Sequence, residues 1–332
     1  MRAPEFWTEN GALAALLAPL GAGYDLAGRL RRALVHPVPA EIPVICVGNL
    51  VAGGAGKTPV VLALVEALAA RGTAVHCLTR GYGGSSPGPR RVDAARDSAQ
   101  EVGDEALLLG RAAPSWVTRN RAAGARAAAA AGAQVLVMDD GFQNPTLAKD
   151  LSLVVVDGAY GFGNRRVMPA GPLRESPARG LARADAVVLL GRDERNLIQS
   201  LGSGLDTRQP LLGARLVPEA GSERLAGRKV LAFAGIGRPE KFFATLAELG
   251  AEVTETRAFP DHHPYRAAEL RDLRERAHGL DAVLVTTEKD AVRLAPGQRE
   301  GIETLAVAVA WDDPAALQAL LDKLPHAMKR AP

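Results

Sequence analysis

The chain has 332 residues, of which 47% are hydrophobic and 23% charged, a composition typical of a globular protein long enough for two domains. Its 40 basic and 37 acidic residues leave a net charge of +3, and the arginines are scattered along the chain, so charge gives no indication of nucleic-acid binding. The two cysteines, Cys46 and Cys77, lie in apolar runs, which argues against a disulfide framework or zinc site, predicts buried thiols and fits a reducing cytoplasm.

The N-terminal segment combines aromatic, apolar and basic residues. Phe6 and Trp7 precede an apolar run at residues 11–23, which Pro19 interrupts, and three arginines follow it. This run is too short and too broken to span a bilayer, which requires about 20 apolar residues. Its positive charge follows the apolar run, whereas in a signal peptide the charge comes first. We expect residues 1–35 either to lie in a membrane interface or to pack as a helix on the domain surface.

A glycine-rich loop, VGNLVAGGAGKTP, lies between an apolar run typical of a strand and an Ala/Leu-rich stretch typical of a helix. This context is the one in which backbone N–H groups bind phosphates, so the loop predicts a nucleotide site. Lys57 is expected to reach the β- and γ-phosphates and act in catalysis, and Thr58 to hold Mg²⁺. The strict pattern has glycine where this chain has Val51, so a glycine turn with an incidental lysine is the alternative. The nucleotide-binding residues predicted from the loop are Val51, Ala52, Gly53, Gly54, Ala55, Gly56, Lys57 and Thr58.

Acidic residues follow at EVGDE, residues 101–105, directly before an apolar run. Helix capping is one explanation, because acidic side chains are favoured at helix starts. Further along, four apolar residues at 135–138 precede Asp139 and Asp140. A buried parallel strand that ends in Asp delivers a carboxylate to the Mg²⁺ end of a phosphate-binding loop. We therefore predict Asp139 and Asp140 as metal ligands, and the sequence leaves open which of them, or Glu105, contacts the ion.

Strands and helices alternate up to about residue 190, and the Gly/Pro-dense stretch at 168–175 predicts a binding loop. The alternation indicates an α/β fold with a mostly parallel sheet covered by helices on both faces, of the P-loop NTPase type. The pattern loosens between residues 192 and 228 and then resumes. We expect a nucleotide-binding domain at 36–215 and a second, smaller α/β domain at 216–332.

The second half carries a histidine cluster, PDHHPY, at residues 260–265. A surface turn is one interpretation, and presentation of a general base at a strand end is the other. Near the next strand end, Lys289 stands directly beside Asp290, which is the wrong spacing for a guanine-specific switch protein. An adenine nucleotide is therefore favoured.

Seven segments, taken together and in order, resemble the tetraacyldisaccharide 4'-kinase family, the lipid A 4'-kinases of Gram-negative bacteria. They are VGNLVAGGAGKTP, TRGYGG, EVGDE, DDGFQ, MPAGPLRES, FPDHHPY and TTEKDAVRL, between residues 42 and 294. The resemblance implies a peripheral or monotopic enzyme at the cytoplasmic face of the inner membrane. Such an enzyme uses ATP and Mg²⁺ to phosphorylate the 4'-hydroxyl of a tetraacylated glucosamine disaccharide 1-phosphate, held with the nucleotide in a cleft between two α/β domains.

The resemblance also implies roles for individual residues. Asp104 is the candidate base and His262 its partner, which fits the need of phosphoryl transfer for a group that orients the attacking hydroxyl. Arg174 and Arg121 are implied to contact phosphate on ATP or lipid. Gln143 is implied to position the nucleotide or the metal.

Two other functions stay open. A cytosolic P-loop ligase or small-molecule kinase shares the loop, and so does an ATP-driven partner switch with a deviant lysine-bearing loop. Ala52 stands where the partner-switch class carries its signature lysine, which counts against that class. Lipid dependence of ATP turnover distinguishes all three.

Overall fold

A computed structural model describes residues 4–202 and 209–324 of the chain. The described strands are, in chain order, β1 (Val44–Gly48), β2 (Val75–Thr79), β3 (Arg90–Arg91), β4 (Ser115–Val117), β5 (Val135–Asp139), β6 (Leu151–Asp157), β7 (Ala186–Leu190), β8 (Leu211–Pro218), β9 (Lys229–Ala234), β10 (Glu252–Ala258), β11 (Val283–Thr287), β12 (Ile302–Leu305) and β13 (Val307–Trp311).

The described α-helices are α1 (Ala12–Leu34), α2 (Lys57–Ala69), α3 (Ala99–Val102), α4 (Asp104–Ala112), α5 (Arg121–Ala130), α6 (Pro177–Leu181), α7 (Leu197–Gly202), α8 (Pro239–Glu248), α9 (Ala267–Gly279), α10 (Glu288–Ala291) and α11 (Pro314–Leu321). Short 3₁₀ helices cover Glu5–Trp7, Ser222–Leu225 and Pro296–Gln298.

The strands form two sheets. The large sheet has the order β13-β8-β7-β6-β1-β5-β2-β4-β3, with antiparallel pairs only at its two edges, and the small sheet has the order β10-β9-β11-β12 and is parallel throughout. The inner strands of the large sheet are buried along their whole length, which explains why they read as continuous apolar runs. The predicted α/β fold with a mostly parallel sheet and a second α/β sheet is confirmed.

The core of the large sheet lies on both of its faces. Val44 and Met138 point into one buried cluster, whereas Ile45 and Val137 point into the other, where α2 packs. β1 lies between β5 and β6, with Val47 beside Asp139. The carboxyl ends of these three strands therefore meet at one edge, which is where ligands bind in open α/β sheets.

The chain crosses between the sheets twice. After the small sheet it returns through β13, which pairs antiparallel with β8, and α11 buries its leucines against the large sheet. The predicted range 216–332 thus contains a final strand and helix that lie on the large sheet, because β13 completes its edge. The division into domains otherwise stays a prediction, and residues 1–3, 203–208 and 325–332 of its ranges lie outside the described residues.

The N-terminal helix α1 packs on the large domain through one narrow face. Ala14, Gly21 and Asp25 are buried, and a Cβ on Gly21 would come within 2.6 Å of the Val167 carbonyl oxygen. Asp25 forms an ion pair with Arg179. The remaining surface of the helix exposes large apolar side chains, namely Leu13, Leu16, Leu20, Tyr24, Leu26, Leu30 and Leu34. Among the described residues, the structure contains no helix of the length and hydropathy that crossing a bilayer requires.

Candidate active site

The glycine-rich loop connects β1 to α2, which begins at Lys57. Gly53 and Gly56 adopt φ angles of 120° and 78°, and a Cβ on Gly56 would lie 2.3 Å from Leu190, so glycine is required there. Val51 occupies a different environment: it is buried and pairs with Leu173 as an isolated antiparallel bridge. Extended backbone tolerates valine, which explains the departure from the strict glycine pattern.

Lys57 and Thr58 point toward the end of β5. The Lys57 ammonium donates to Asn49 Oδ1 at 3.3 Å and lies 3.6 Å from Asp140 Oδ1. The Thr58 hydroxyl donates to Asp139 Oδ2 at 3.1 Å. The structure therefore brings together the loop and the two aspartates that the sequence predicted as metal ligands.

The carboxylate of Asp139 is fully buried, and its Oδ1 has no hydrogen-bond partner among the described residues. Burial, reinforced by the negative charge of Glu105, raises the pKa of Asp139 above its ordinary value, and the Lys57 charge opposes this. An orphaned carboxylate oxygen beside a threonine hydroxyl suits a hard cation with oxygen ligands. The described part of the chain holds no cluster of three or more His, Cys, Asp or Glu side chains placed to bind a metal. Mg²⁺ needs no such cluster, because it is usually held by one or two carboxylates together with substrate phosphates.

Asp140 is held in the ionised form by two cations. Burial would raise its pKa, but the charges of Lys57 and Arg174 outweigh this and lower the pKa to about 2. Arg174 donates to Asp140 Oδ1 at 2.7 Å and to Gln143 Oε1 at 3.3 Å. Gln143 in turn donates to the carbonyl oxygen of Asn49 at 2.8 Å. The stretch at residues 168–175 thus places its arginine beside the phosphate-binding loop.

Asp104 and His262, which lie 158 residues apart, meet across the cleft. Asp104 is the first residue of α4, and His262 follows β10 in a turn with a φ of 59°. The His262 Nδ1 lies 2.8 Å from Asp104 Oδ2. The helix-capping explanation holds for Glu101, whose carboxylate accepts from the Ser98 N–H. Asp104 instead contacts His262, in the turn that follows β10.

Arg293 is a functional candidate that the sequence did not reveal. Its Nε and Nη2 donate to Asp104 Oδ2 at 2.8 and 2.6 Å, and its Nη1 donates to the buried carboxylate of Asp290 at 2.7 Å. Burial would raise the pKa of Asp104, but the His262 hydrogen bond and the charges of Lys289 and Arg293 outweigh burial and hold that pKa well below its ordinary value.

Lys289 forms a second contact between α10, which follows the small sheet's β11, and α4. Its ammonium donates to Glu105 Oε1 at 3.2 Å and lies 3.9 Å from Asp261 Oδ1. Burial would lower its pKa, but these carboxylates raise it. Lys289 and Arg293 both lie in the TTEKDAVRL segment, so the resemblance marked the segment, although no role was predicted for either residue.

Arg121, which was predicted to contact phosphate, and His263, the second histidine of the cluster, sit apart from the contacts above. Arg121 is buried at the start of α5 and donates to the Thr118 carbonyl oxygen; burial and the charge of Arg80 lower its pKa to about 10. His263, the second histidine of the cluster, lies 3.0 Å from Glu269 and stacks on Phe259. His263 therefore fits the surface-turn interpretation, and His262 faces the cleft.

The segment that follows β9 of the small sheet also lies over the phosphate-binding loop itself. A Cβ on Gly237 would come within 3.1 Å of the Gly54 nitrogen. Beside it, Arg238 and Lys241 contact Asp157, at the end of β6, at 2.7 and 2.5 Å. The geometry is that of a closed cleft in which charged groups on segments attached to both sheets surround the end of the loop.

Comparison with known proteins gives a consistent result. Residues 13–325 match the family model described as tetraacyldisaccharide-1-P 4'-kinase. A tetraacyldisaccharide 4'-kinase of Rhodospirillum rubrum is 57% identical over 324 residues, 98% of both chains, and one of Rhodospirillum centenum is 58% identical over 330 residues, 98% of this chain and 97% of the other. The crystal structure of LpxK from Aquifex aeolicus in complex with ATP superposes with a TM-score of 0.76 at 27% identity, covering 94% of this chain and 99% of that one.

Proposed function

The chain belongs to the tetraacyldisaccharide-1-P 4'-kinase family and is an ATP-dependent kinase of lipid A biosynthesis; we propose that the closed cleft described above is where it works. The reaction transfers the γ-phosphoryl group of ATP to the 4'-hydroxyl of a tetraacyldisaccharide 1-phosphate and gives the 1,4'-bisphosphate. One observation carries the assignment of the site: Asp104 and His262 come within 2.8 Å of each other, and a Cβ on Gly237 would lie within 3.6 Å of both Asp261, the neighbour of His262, and the Gly54 nitrogen of the phosphate-binding loop. A P-loop ligase or a partner-switch ATPase is not favoured.

In this proposal the ATP phosphates lie on the backbone N–H groups of residues 51–58, at the N-terminus of α2. Lys57 stabilises the charge that develops on the transferring group, because it is preorganised in a site closed to water. Thr58 and Asp139, with Asp140 nearby, are the residues that would hold Mg²⁺. When bound, the ion neutralises phosphate charge.

The acceptor hydroxyl is oriented by Asp104. As the new O–P bond forms and the bond between the γ-phosphorus and the bridging oxygen breaks, the hydroxyl proton passes to the Asp104 carboxylate and ADP departs. His262 and Arg293 fix the carboxylate in place from the second domain. In this proposal, the movement that brings the two domains together also places His262 and Arg293 on Asp104 and so completes the site.

Arg174 and Gln143 hold the opposite side of the site. The Arg174 guanidinium, anchored on Asp140, can approach the γ-phosphate oxygens, and Gln143 fixes the loop through the Asn49 carbonyl. Arg121 is buried near Asp140 and contributes positive charge from the protein interior. We propose these as phosphate-positioning residues.

We further propose that the protein works as a peripheral enzyme at the cytoplasmic face of the inner membrane. The exposed leucines of α1 would enter the membrane interface, while the arginines at its C-terminal end meet anionic head groups. Such placement suits an acylated acceptor, whose chains stay in the bilayer. The proposal includes no nucleic-acid partner.

The decisive experiment combines the purified protein, MgATP and the tetraacylated disaccharide 1-phosphate in neutral detergent. Mass spectrometry should show a product with a second phosphate, formed together with an equal amount of ADP. ATP hydrolysis that does not depend on the lipid, with no bisphosphate formed, would instead indicate a ligase, a small-molecule kinase or a switch ATPase. Omitting Mg²⁺ in a parallel reaction with EDTA tests the metal assignment.

A further inference from the structure

A cavity outside the catalytic cleft gathers three cations. It has a volume of about 260 Å³ and lies between the C-terminal end of α1 and the segment that follows β5. Its charged lining side chains are Arg32, Lys149 and Arg183, and none of its lining residues is acidic. Asn144, Ser152 and the Phe142 ring complete the polar and aromatic part of the wall. We call it the cationic cavity.

The three cations of the cationic cavity are poorly compensated. Arg183 and Arg32 share one buried carboxylate, Glu175, at 2.6 and 3.4 Å, and the described contact of the Lys149 ammonium is the Asn144 carbonyl oxygen at 2.6 Å. Burial lowers the pKa of Lys149 and of Arg183. The Glu175 charge opposes this for Arg183, whereas a cation across the cavity lowers each pKa further. Half-buried like charges repel one another, so a bound anion would relieve an electrostatic cost that the protein otherwise bears.

The wall of the cationic cavity is shaped for a small anion. The Arg183 guanidinium lies 4.6 Å over the Phe142 ring, which fixes its plane. Its Nη2 donates to Glu175 and its Nε to the Arg179 carbonyl oxygen, so among the described residues Nη1 is the nitrogen left to donate to an anion. Arginine presents a planar fork that matches phosphate oxygens, and lysine adds a point charge. The volume lies just below the usual range for drug-sized ligands, so the cavity suits a head group and not a whole acylated lipid.

The cationic cavity is connected to the catalytic cleft. Glu175, the ion-pair partner of Arg32 and Arg183, also accepts from the Gln143 amide at 3.3 Å. The Gln143 side-chain oxygen accepts from Arg174, which in turn donates to Asp140. One carboxylate, one amide and one guanidinium therefore separate the cavity from Asp140, a proposed metal ligand. On its other side, Arg32 belongs to the last turn of α1, where Leu30 and Leu34 are exposed.

We propose that the cationic cavity binds a phosphate group carried by a lipid. The inference rests on the proposed function, since the acceptor itself bears a 1-phosphate at the end opposite the reacting 4'-hydroxyl. The position of the cavity, between the exposed leucines of α1 and the catalytic cleft, favours this phosphate as the occupant. A phosphate on a bilayer phospholipid has the same chemistry, and the experiment below separates the two sources.

The test compares variants that remove the same charge inside and outside the cavity. Arg32→Gln and Lys149→Gln change the cavity, whereas Arg31→Gln removes a charge from the next, exposed position of α1, and Lys229→Gln does so at an exposed position of the small sheet. Arg183 is left intact because it neutralises the buried Glu175. Circular dichroism and thermal unfolding establish that each variant is folded, and Arg32→Lys tests rescue by a retained charge.

The kinetic arm uses two acceptors in neutral detergent, one with the 1-phosphate and one from which it has been removed. For the wild-type protein, we expect the acceptor KM to be lower with the 1-phosphate. Each cavity variant should raise the KM for the phosphorylated acceptor by about 10- to 100-fold, the scale of one charge-assisted hydrogen bond. The KM for the acceptor without the 1-phosphate and the kcat for both acceptors should change less than threefold. The two exposed variants should leave the ratio of the two acceptor KM values as it is in the wild-type protein.

The vesicle arm measures binding to phosphatidic acid vesicles and to neutral phosphatidylcholine vesicles. One outcome is that both cavity variants bind phosphatidic acid vesicles more weakly than Arg31→Gln does, bind phosphatidylcholine vesicles equally, and show no difference in KM between the two acceptors. That outcome assigns the site to a bilayer phosphate. Equal behaviour of cavity and exposed variants in both arms overturns the proposal. A wild-type protein that phosphorylates neither acceptor would refute the proposed function. The vesicle arm would still decide whether the cationic cavity binds a lipid phosphate.

Discussion

Arg293 joins the buried carboxylates of Asp104, at the start of α4, and Asp290, in α10, and we predict that Arg293→Gln lowers both stability and catalysis. The guanidinium makes two hydrogen bonds to Asp104 and one each to Asp290 and the Gly235 carbonyl. The side chains of Arg293, Asp104 and Asp290 are 5%, 4% and 0% exposed. Glutamine is too short and uncharged, so Asp290 would lose its ion-pair partner, and of its side-chain partners Asp104 would keep only the His262 hydrogen bond and the nearby Lys289 charge.

The magnitude follows from the burial. Removing one partner of a buried ion pair costs about 3–5 kcal/mol, because the remaining charge stays desolvated. The individual hydrogen bonds, each worth about 1.5–3 kcal/mol, are not additive within one network. We therefore expect the free energy of unfolding to fall by about 3–5 kcal/mol. We also expect kcat to fall by about 10² or more, since Asp104 loses the group that orients it.

The assay pairs urea denaturation with steady-state kinetics at saturating ATP and acceptor. Arg293→Lys keeps the charge without the planar fork and should lie between wild type and Arg293→Gln in both measurements. Arg271→Gln, at an exposed position on α9, controls for loss of a positive charge in the same domain. An Arg293→Gln protein with a free energy of unfolding within about 0.5 kcal/mol of wild type and normal kcat would refute this reasoning.

Four further predictions follow from the site. Lys57→Ala should lower kcat by about 10³-fold or more while the protein stays folded, and near-normal turnover would overturn the phosphate-loop assignment. Asp104→Ala and His262→Ala should each lower kcat with little change in ATP affinity, and the double variant should cost little more than the worse single one, whereas additive losses would show independent roles. Because burial raises the pKa of Asp139, the metal-free protein should lose stability as pH rises through that pKa. Asp139→Asn should thus gain Tm over wild type at about pH 8 and show no gain below about pH 4, and a gain equal at both pH values would contradict the linkage. A protein lacking residues 1–35 should partition less onto anionic liposomes in low salt than the intact protein, and equal partitioning would remove α1 from the membrane model.

The nucleotide side of the site was predictable because its signals are local. The loop at residues 47–59 carries strand, glycines and lysine in one stretch, and Asp139 ends an apolar run that reads as a buried strand. Parallel strands deliver their carboxyl ends to one edge, so loop and aspartate had to meet there. The Thr58 to Asp139 hydrogen bond at 3.1 Å agrees with that reasoning.

The second domain was less predictable, because its contacts depend on how two sheets face each other. Arg293 and Lys289 follow β11 and read locally as ordinary helix residues, yet both reach carboxylates at the start of α4. No periodicity or spacing encodes a pairing over 184 or 189 residues. The return of β13 to the large sheet was missed for the same reason, since an apolar strand carries no mark of which edge it completes.

The pKa of Asp104 raises a question about its role, because a carboxylate held in the ionised form is a weak base. A hydroxyl that attacks through a loose transition state keeps its proton until late, so orientation matters more than basicity. In the structure all three side-chain donors converge on Asp104 Oδ2, whereas Oδ1 accepts the Glu105 N–H at 2.8 Å. A carboxylate oxygen has a second lone pair, so the acceptor hydroxyl can donate to Oδ1 while His262 and Arg293 keep Oδ2. The contacts between the domains therefore need not break for catalysis, and the groups that hold the cleft closed are the ones that aim the base.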